Sequence, residues 1–507
     1  MSFHILVPWL FVFSIIVCCL SRLSATATVL GLPLPPGPKA SWFRTLSLPT
    51  TYPWITYANW QNIYGDVIYL RVLGNPVIVL NSSVAISDLL ERRGNIYSSR
   101  PIRTMVVELI GWDWLFSSMC YGDRWKQHRN LFHKHFRPND SDRYRALQQK
   151  ETHTLLRNLL QTPENFRYHI RRSAAAVVLN LSYGHQIAQD GDDYVQLADK
   201  AIAGLAQAGI FGTYLVDYLP FLKYVPAWFP FASFKREAFA WRKLTRELVD
   251  RPFDMIKQKL VEGTEFPCLV TQELESRTAG LDSEDEEVVK NVAATAYAAG
   301  SDTVVSAILS FFLAMTIHPE IQKRAQDELC SVIGTRLPAL SDRNDLPFIE
   351  CICYELLRWN PVTPLGLAHC VMQDDEYRGY QIPKGTTVIP NVWAIFHDPE
   401  TYPDPMRFNP DRFMNFSANE EKINEKPDAA FGFGRRICPG RHVALDFIFI
   451  VVASVLTVYD ICRAKDENGN DINPDVEYTS LLLSHPKPFK CDIRPRSEDA
   501  ITVVTQM

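Results

Sequence analysis

Phe431-Gly432-Phe433-Gly434-Arg435-Arg436-Ile437-Cys438-Pro439-Gly440 runs straight into an almost unbroken apolar stretch from Arg441 to Tyr459. Pro439 suits a first helical position, where a missing N–H costs nothing. Cys438 then stands at a helix start, where orphan N–H groups and the helix dipole stabilise a thiolate. Gly434 and Gly440 allow close backbone approach beside the sulfur, and Arg436 adds a cation nearby. A thiolate that is held, shielded and charge-compensated is what an axial haem-iron ligand requires. The plainer reading of a lone cysteine is a buried residue in a glycine-rich turn. The whole ten-residue string argues against it.

Outward from this loop, helical patterning dominates. Trp125 to Phe136, Tyr144 to Thr162, Val288 to His318, Pro319 to Ile333, Pro347 to Trp359 and Arg441 to Tyr459 all read as helices. The Val288–His318 stretch follows an acidic start at Glu284–Glu287, which suits a helix N-terminus, and Pro319 ends it. A helix so long and so apolar must cross the middle of a large core. Val67 to Val72 and Pro76 to Leu80, parted by Gly74-Asn75, read as a hairpin. Short strands recur near Ala368–Val371, Tyr380–Ile382 and Thr386–Ile389 and in the C-terminal fifth. The expected class is mainly α with small β-sheets (α+β). No linker divides the body, so residues 40–507 are expected to form one domain.

The 507 residues are 47% hydrophobic and 21% charged, with a formal net charge of -5. That excludes an intrinsically disordered chain and a polytopic membrane protein, and nothing in it points to nucleic acid. The 11 cysteines form no CxxC pair, which suits a reducing compartment rather than a disulfide framework or zinc ribbon.

Residues 1–23 carry an apolar run, Ile5 to Leu20, with no charge in it. Arg22, Lys39 and Arg44 follow the run and no Lys or Arg precedes it, so the positive-inside rule puts the body in the cytosol. Ala25-Thr26-Ala27 also has the form of a signal-peptidase site. The uncleaved membrane anchor is the expected reading. The Asn-x-Ser sequons at Asn81, Asn139, Asn180 and Asn415 would then escape glycosylation. Residues 24–39, with Pro33-Leu34-Pro35-Pro36-Gly37-Pro38, read as a stiff hinge.

The cysteine loop resembles the haem-binding signature of the cytochrome P450 family, Phe-x-x-Gly-x-Arg-x-Cys-x-Gly. Phe431, Gly434, Arg436, Cys438 and Gly440 match every fixed position. The resemblance implies the P450 fold and haem b, with Cys438 as the proximal iron ligand, Phe431 packed near it and Arg436 at a propionate. Other stretches agree in order and spacing. Ala299-Gly300-Ser301-Asp302-Thr303 is similar to the family's dioxygen groove, where the threonine hydroxyl manages protons and the acid connects to solvent; Gly300 lets the helix open locally. Val304 stands where the family usually has Thr or Ser. Glu355 and Arg358, three apart on one helical face, with Arg412 of Phe408–Phe413, resemble the family's buried charge cluster; Asp411 replaces its more usual Glu. Trp125 and Arg129, four apart, and His369 match positions that reach haem propionates.

The implied activity is insertion of one oxygen atom of dioxygen into a hydrophobic small molecule, with electrons from NADPH through a flavoprotein NADPH-cytochrome P450 reductase. The implied place is the endoplasmic reticulum membrane, single-pass, with the catalytic body cytosolic. Arg124, Lys126, Arg129, Lys134 and Arg137 resemble the family's face for an acidic reductase. Substrate contacts are expected from Met105–Leu115, Gly209–Leu215, Tyr297–Ala299, Val362–Leu367 and Thr479–Leu483. Trp228 in Tyr224–Pro230 and the Gly111-Trp112 pair resemble fungal microsomal members acting on secondary metabolites such as terpenoids or polyketides. Two other readings stay open: a reductase-independent haem-thiolate isomerase or dehydratase, and a membrane-anchored haem- or sterol-binding protein without turnover. An intact Asp302-Thr303 pair argues against both.

Overall fold

The computed structural model describes residues 31–38, 48–137, 141–210, 212–276, 282–414 and 427–507. The segment expected to anchor the chain, residues 1–23, lies outside them. Helix α1 (Pro53–Tyr64) leads into the hairpin of β1 (Val67–Val72) and β2 (Asn75–Leu80). Its turn is Leu73-Gly74, both at positive φ (48° and 85°), which matches the twist of the strands. The turn therefore sits one residue before the expected Gly74-Asn75.

Next come α2 (Asp123–His135), α3 (Ser141–Gln161), α4 (Phe166–Tyr183), α5 (Asp193–Gly209) and α6 (Ser233–Glu262). The long apolar stretch forms two helices, α7 (Ser283–Gly300) and α8 (Thr303–Ile317), parted at Ser301-Asp302. Then follow α9 (Pro319–Ile333) and α10 (Pro347–Trp359), where Pro at the first position starts each helix without losing a hydrogen bond. Strands β3 (His369–Cys370), β4 (Asp375–Tyr377), β5 (Tyr380–Ile382) and β6 (Thr387–Pro390) precede α11 (Arg441–Val458), β7 (Tyr459–Arg463) and β8 (Cys491–Pro495).

The largest sheet has the order β1-β2-β6-β3, with β2 and β6 parallel and the outer pairs antiparallel. The Pro-rich run does not stand off from it. Tyr69 N–H donates to the Pro36 carbonyl at 2.8 Å and Gln381 N–H to the Pro33 carbonyl at 2.9 Å. Proline suits such an edge because it needs no ladder donor of its own.

The core is helical. Every residue of α8 from Val304 to Thr316 is buried, as is α11 from Asp446 to Leu456. By length and apolarity alone Ser283–Ile317 and Arg441–Val458 could cross a membrane, yet 83% and 67% of their apolar windows are buried inside the protein. Both are core helices, packed against each other and against α3, α4 and α10. Beneath the cysteine loop lies the expected charge cluster. Arg358 grips Glu355 through Nε at 2.6 Å and Nη2 at 2.8 Å, with both side chains fully buried. Arg412 Nε approaches Glu355 Oε1 at 3.4 Å, and Asn409 N–H donates to the same oxygen at 2.7 Å. Arg358 Nη1 takes the Phe396 carbonyl at 2.8 Å. Fully paired, these charges tolerate burial; removing one partner leaves a bare charge, at a cost of about 3–5 kcal/mol.

Candidate active site

The cysteine loop closes on itself: Cys438 N–H donates to the Phe431 carbonyl at 2.7 Å. Gly434 sits at φ 52°, and a Cβ there would lie 2.3 Å from the Leu90 carbonyl oxygen, so only glycine lets the loop pack on that neighbouring turn. Phe431 is half-buried against the main core. Helix α11 begins at Arg441 with Gly440 as its cap, so Pro439 precedes the helix instead of opening it. Cys438 is half-buried as a residue. Burial pushes the Cys438 thiol up, against the Gly440 N–H and the nearby Arg129 and Arg441, which favour the thiolate. The N–H and the cations favour the thiolate as the sequence suggests, but burial outweighs them. A coordinated metal cation ionises such a thiol outright.

Around the loop the fold gathers basic side chains with no acid bonded to them among the described residues. Arg436 is buried; its Nε donates to the Ser98 carbonyl at 2.6 Å and its Nη2 to the Met119 carbonyl at 2.8 Å, while Nη1 is buried with no partner. Its guanidinium lies 4.3 Å from the ring centre of Trp125, a cation–π contact. Burial pushes Arg436 down to about 10. Arg129, one turn along α2 from Trp125, has no hydrogen bond or ion pair among the described residues; burial lowers its pKa, while nearby Cys438 raises it. His369 is buried, its Nδ1 2.7 Å from the Tyr97 carbonyl. Burial, then Arg100 and Arg436, push its imidazole well below the ordinary range.

Arg100 was not singled out in the sequence. It too is buried, and all of its hydrogen bonds go to carbonyls, those of Ser117, Leu367 and Ala368. Ser98-Ser99-Arg100-Pro101 has no periodicity or spacing that sets it apart. Only the fold brings it beside Arg436, whose charge, after burial, lowers Arg100 further.

At the α7–α8 break, the Thr303 hydroxyl donates to the Ala299 carbonyl at 2.9 Å. Asp302 is buried, ion-paired to Arg171 at 2.9 Å and hydrogen-bonded to His485 at 3.1 Å. Burial opposes its charge, but His485 and then Arg171 overcome it and hold the carboxyl below its usual range. Gly300 serves packing: a Cβ there would lie 2.4 Å from Val178 Cγ1 on α4. The helix opens after it, at Ser301-Asp302.

A family model described as Cytochrome P450 matches residues 35–493. The chain belongs to the cytochrome P450 family. It is 42% identical to a cytochrome P450 monooxygenase of Armillaria gallica over 483 residues, covering 94% of each chain. It is 41% identical to one from Postia placenta over 482 residues, covering 94% of this chain and 93% of that one. Among solved structures, a zebrafish cytochrome P450 with abiraterone matches with a TM-score of 0.70 at 23% identity, covering 88% of this chain and all of that one, which supports the fold. This P450 is therefore a haem-thiolate monooxygenase in fold and reaction class, which sets aside the isomerase and the non-catalytic binder. The residues present fit the haem. Among the described residues Arg100, Arg436, Arg129 and His369 meet no carboxylate, and the buried Nη1 of Arg436, without a partner among them, lacks an anion that a propionate supplies.

A cavity of about 110 Å³ opens beside this cluster. Its wall takes Val106 and Val107, Gly209 and Ile210, Pro364–Leu367 and Ser480–Leu482 from the expected stretches, and adds Trp54 and Leu205. Tyr297–Ala299 does not line it. Tyr297 is fully buried, its hydroxyl bonded to the Tyr194 carbonyl.

Proposed function

We propose that this P450 oxygenates a hydrophobic secondary metabolite of terpenoid or polyketide type, taking electrons from NADPH through a flavoprotein reductase. Cys438 would ligate the haem iron through its sulfur. Arg436, Arg100, His369, Trp125 and Arg129 hold the propionate side, and Gly434 and Phe431 shape the loop. Bound haem supplies the activation of dioxygen, and the thiolate favours O–O cleavage. The protein supplies binding, orientation, water exclusion and protons. The apolar cavity wall strips water from a greasy ligand and orients it. Thr303 Oγ1 holds a proton at the helix break, and Asp302 Oδ2 passes protons from the solvent side.

The observation that carries this reading is the break itself. Thr303 sits beside a buried, ionised Asp302 that reaches outward to His485 and Arg171. A non-catalytic binder has no need of such a pair. Thr303→Ala tests it. Reductase-driven NADPH consumption should persist while peroxide release rises several-fold at the expense of organic product. An unchanged peroxide yield would remove Thr303 from the mechanism.

Residues 1–23 anchor the chain in the endoplasmic reticulum membrane, and residues 24–39 join that anchor to the cytosolic catalytic body, 40–507, with Pro33 and Pro36 already tied to the body. Exposed Tyr224, Trp228 and Phe231 support a body that rests on the interface. The reductase meets the α2 face. Lys126 is tied to Asp123 at 2.9 Å and Lys134 to Glu273 at 2.6 Å, and Arg129 is turned toward Cys438, so the exposed Arg124 and Arg137 carry most of that attraction.

A further inference from the structure

Asp302 spends both carboxylate oxygens on side chains from outside its own helix. Oδ1 accepts from Arg171 Nη1 at 2.9 Å, and Oδ2 accepts from His485 Nε2 at 3.1 Å. The two arms differ in kind. Arg171 shares its guanidinium with Asp199 at 2.7 Å, and a guanidinium keeps its protons at any working pH. It can hold Asp302 but cannot feed it. An imidazole can do both.

His485 is itself held. Thr479 N–H donates to its carbonyl at 2.8 Å, and its own N–H donates to Thr479 Oγ1 at 3.0 Å. Next to it, Ser484 N–H donates to the Val362 carbonyl at 2.8 Å and the Ser484 carbonyl accepts from Ser306 Oγ on α8. This pins the loop to the helix that carries Thr303. With Nε2–H directed at Asp302, the other ring nitrogen, Nδ1, has no protein partner among the described residues, and 15% of the side chain is exposed against 8% for Asp302. The charged groups around the ring are Asp302, then Arg171 and Arg167 on α4, Asp199 on α5, and Glu477 and Lys487 on its own segment. Arg167 binds the Pro486 carbonyl at 3.2 Å, and Lys487 and Glu477 pair with each other at 2.7 Å. Among the described residues, Asp302 is the one that bonds the ring.

We propose that His485 is a positioning residue that loads Asp302 with protons from solvent. Nδ1 takes a proton from water. The Nε2–H bond breaks as its proton passes to Asp302 Oδ2, and Asp302 carries it toward Thr303. No electrons move, and the ring regains its first tautomer by exchange with solvent. This rests on the reading of Asp302 and Thr303 as the proton-handling pair.

The test uses the haem-loaded full chain with a flavoprotein reductase and NADPH, without added organic substrate. NADPH consumption is followed across about pH 6 to 8, in light and heavy water. His485→Gln keeps an N–H donor for Asp302 but cannot carry a proton; His485→Asn is the second variant, and Asp302→Asn the reference. The carbon monoxide difference spectrum and thermal midpoint confirm that each variant folds and holds haem. The wild-type rate should fall as pH rises. His485→Gln should be about 10-fold slower, flat with pH and more sensitive to heavy water, at an unchanged thermal midpoint. If Asp302→Asn slows the enzyme while both His485 variants keep the wild-type rate and pH slope, the relay through His485 is wrong and Asp302 stands. If Asp302→Asn is also without effect, the underlying reading of Asp302 fails, and this inference with it.

Discussion

Gly300 does its work through what it lacks. A Cβ at that position would lie 2.4 Å from Val178 Cγ1, inside any real contact distance, so α7 and α4 touch there because Gly300 leaves room for the Val178 side chain. Gly300→Ala should cost about 1–3 kcal/mol in unfolding free energy, and adding Val178→Ala should recover much of it. A denaturant titration of both variants measures that coupling, and strict additivity would refute the contact. The sequence marks Gly300 as special but suggests a different reason, local opening of the helix. Val178 lies far away along the chain, and no spacing within Ala299–Thr303 points to it. Cys438 shows the same limit. Its place in the loop is legible from Phe431 to Gly440, but the thiol's protonation depends on burial among Arg129, Arg441 and the Gly440 N–H, which only the fold assembles.

Elements with a strong period are legible and those with competing signals are not. α9, α10 and α11 start where Pro319, Pro347 and the cysteine loop announce them. α6 is missed: it is amphipathic and rich in charge, and Pro252 in its interior reads as a break. α5 is missed although its cap is well made. Asp192 accepts from the N–H groups of Tyr194 at 2.9 Å and Val195 at 3.3 Å, from Ala188 N–H at 3.1 Å and from His185 Nε2 at 2.9 Å. Burial raises its pKa, but the His185 hydrogen bond and these N–H groups pull its carboxyl down to about 2. The unfolded value is about 3.9. Its stabilisation is therefore complete above that value and is lost as pH falls through the folded one. Asp192→Ala should lose about 2 kcal/mol at neutral pH, and the gap to wild type should shrink by about half between roughly pH 5 and 3. A gap independent of pH would mean the cap works without its charge.

Across the whole molecule, the groups proposed to face the haem propionates come from separated places: Arg100 in a loop, Arg129 on α2, the imidazole of His369 on β3 and Arg436 before α11. The sequence singles out Trp125, Arg129, His369 and Arg436 because each resembles a family pattern; Arg100 belongs to none. The outer face of α2 makes a prediction at the same scale. Arg124→Glu with Arg137→Glu should slow reduction by the flavoprotein and flatten its dependence on ionic strength, while leaving the dithionite-reduced spectrum unchanged. Stopped-flow reduction at low and high salt reads both effects, and an unaltered rate would move the reductase to another face.

Everything proposed for this P450 depends on Cys438, in this loop and beside these basic side chains, binding haem iron as a thiolate. The most direct test is the carbon monoxide difference spectrum of the dithionite-reduced protein beside that of Cys438→Ala. The account predicts the strongly red-shifted Soret band of a thiolate-ligated haem in the wild type and its absence in the variant. A band at the position of a histidine-ligated haem in the wild type, or the same red-shifted band in Cys438→Ala, would contradict it.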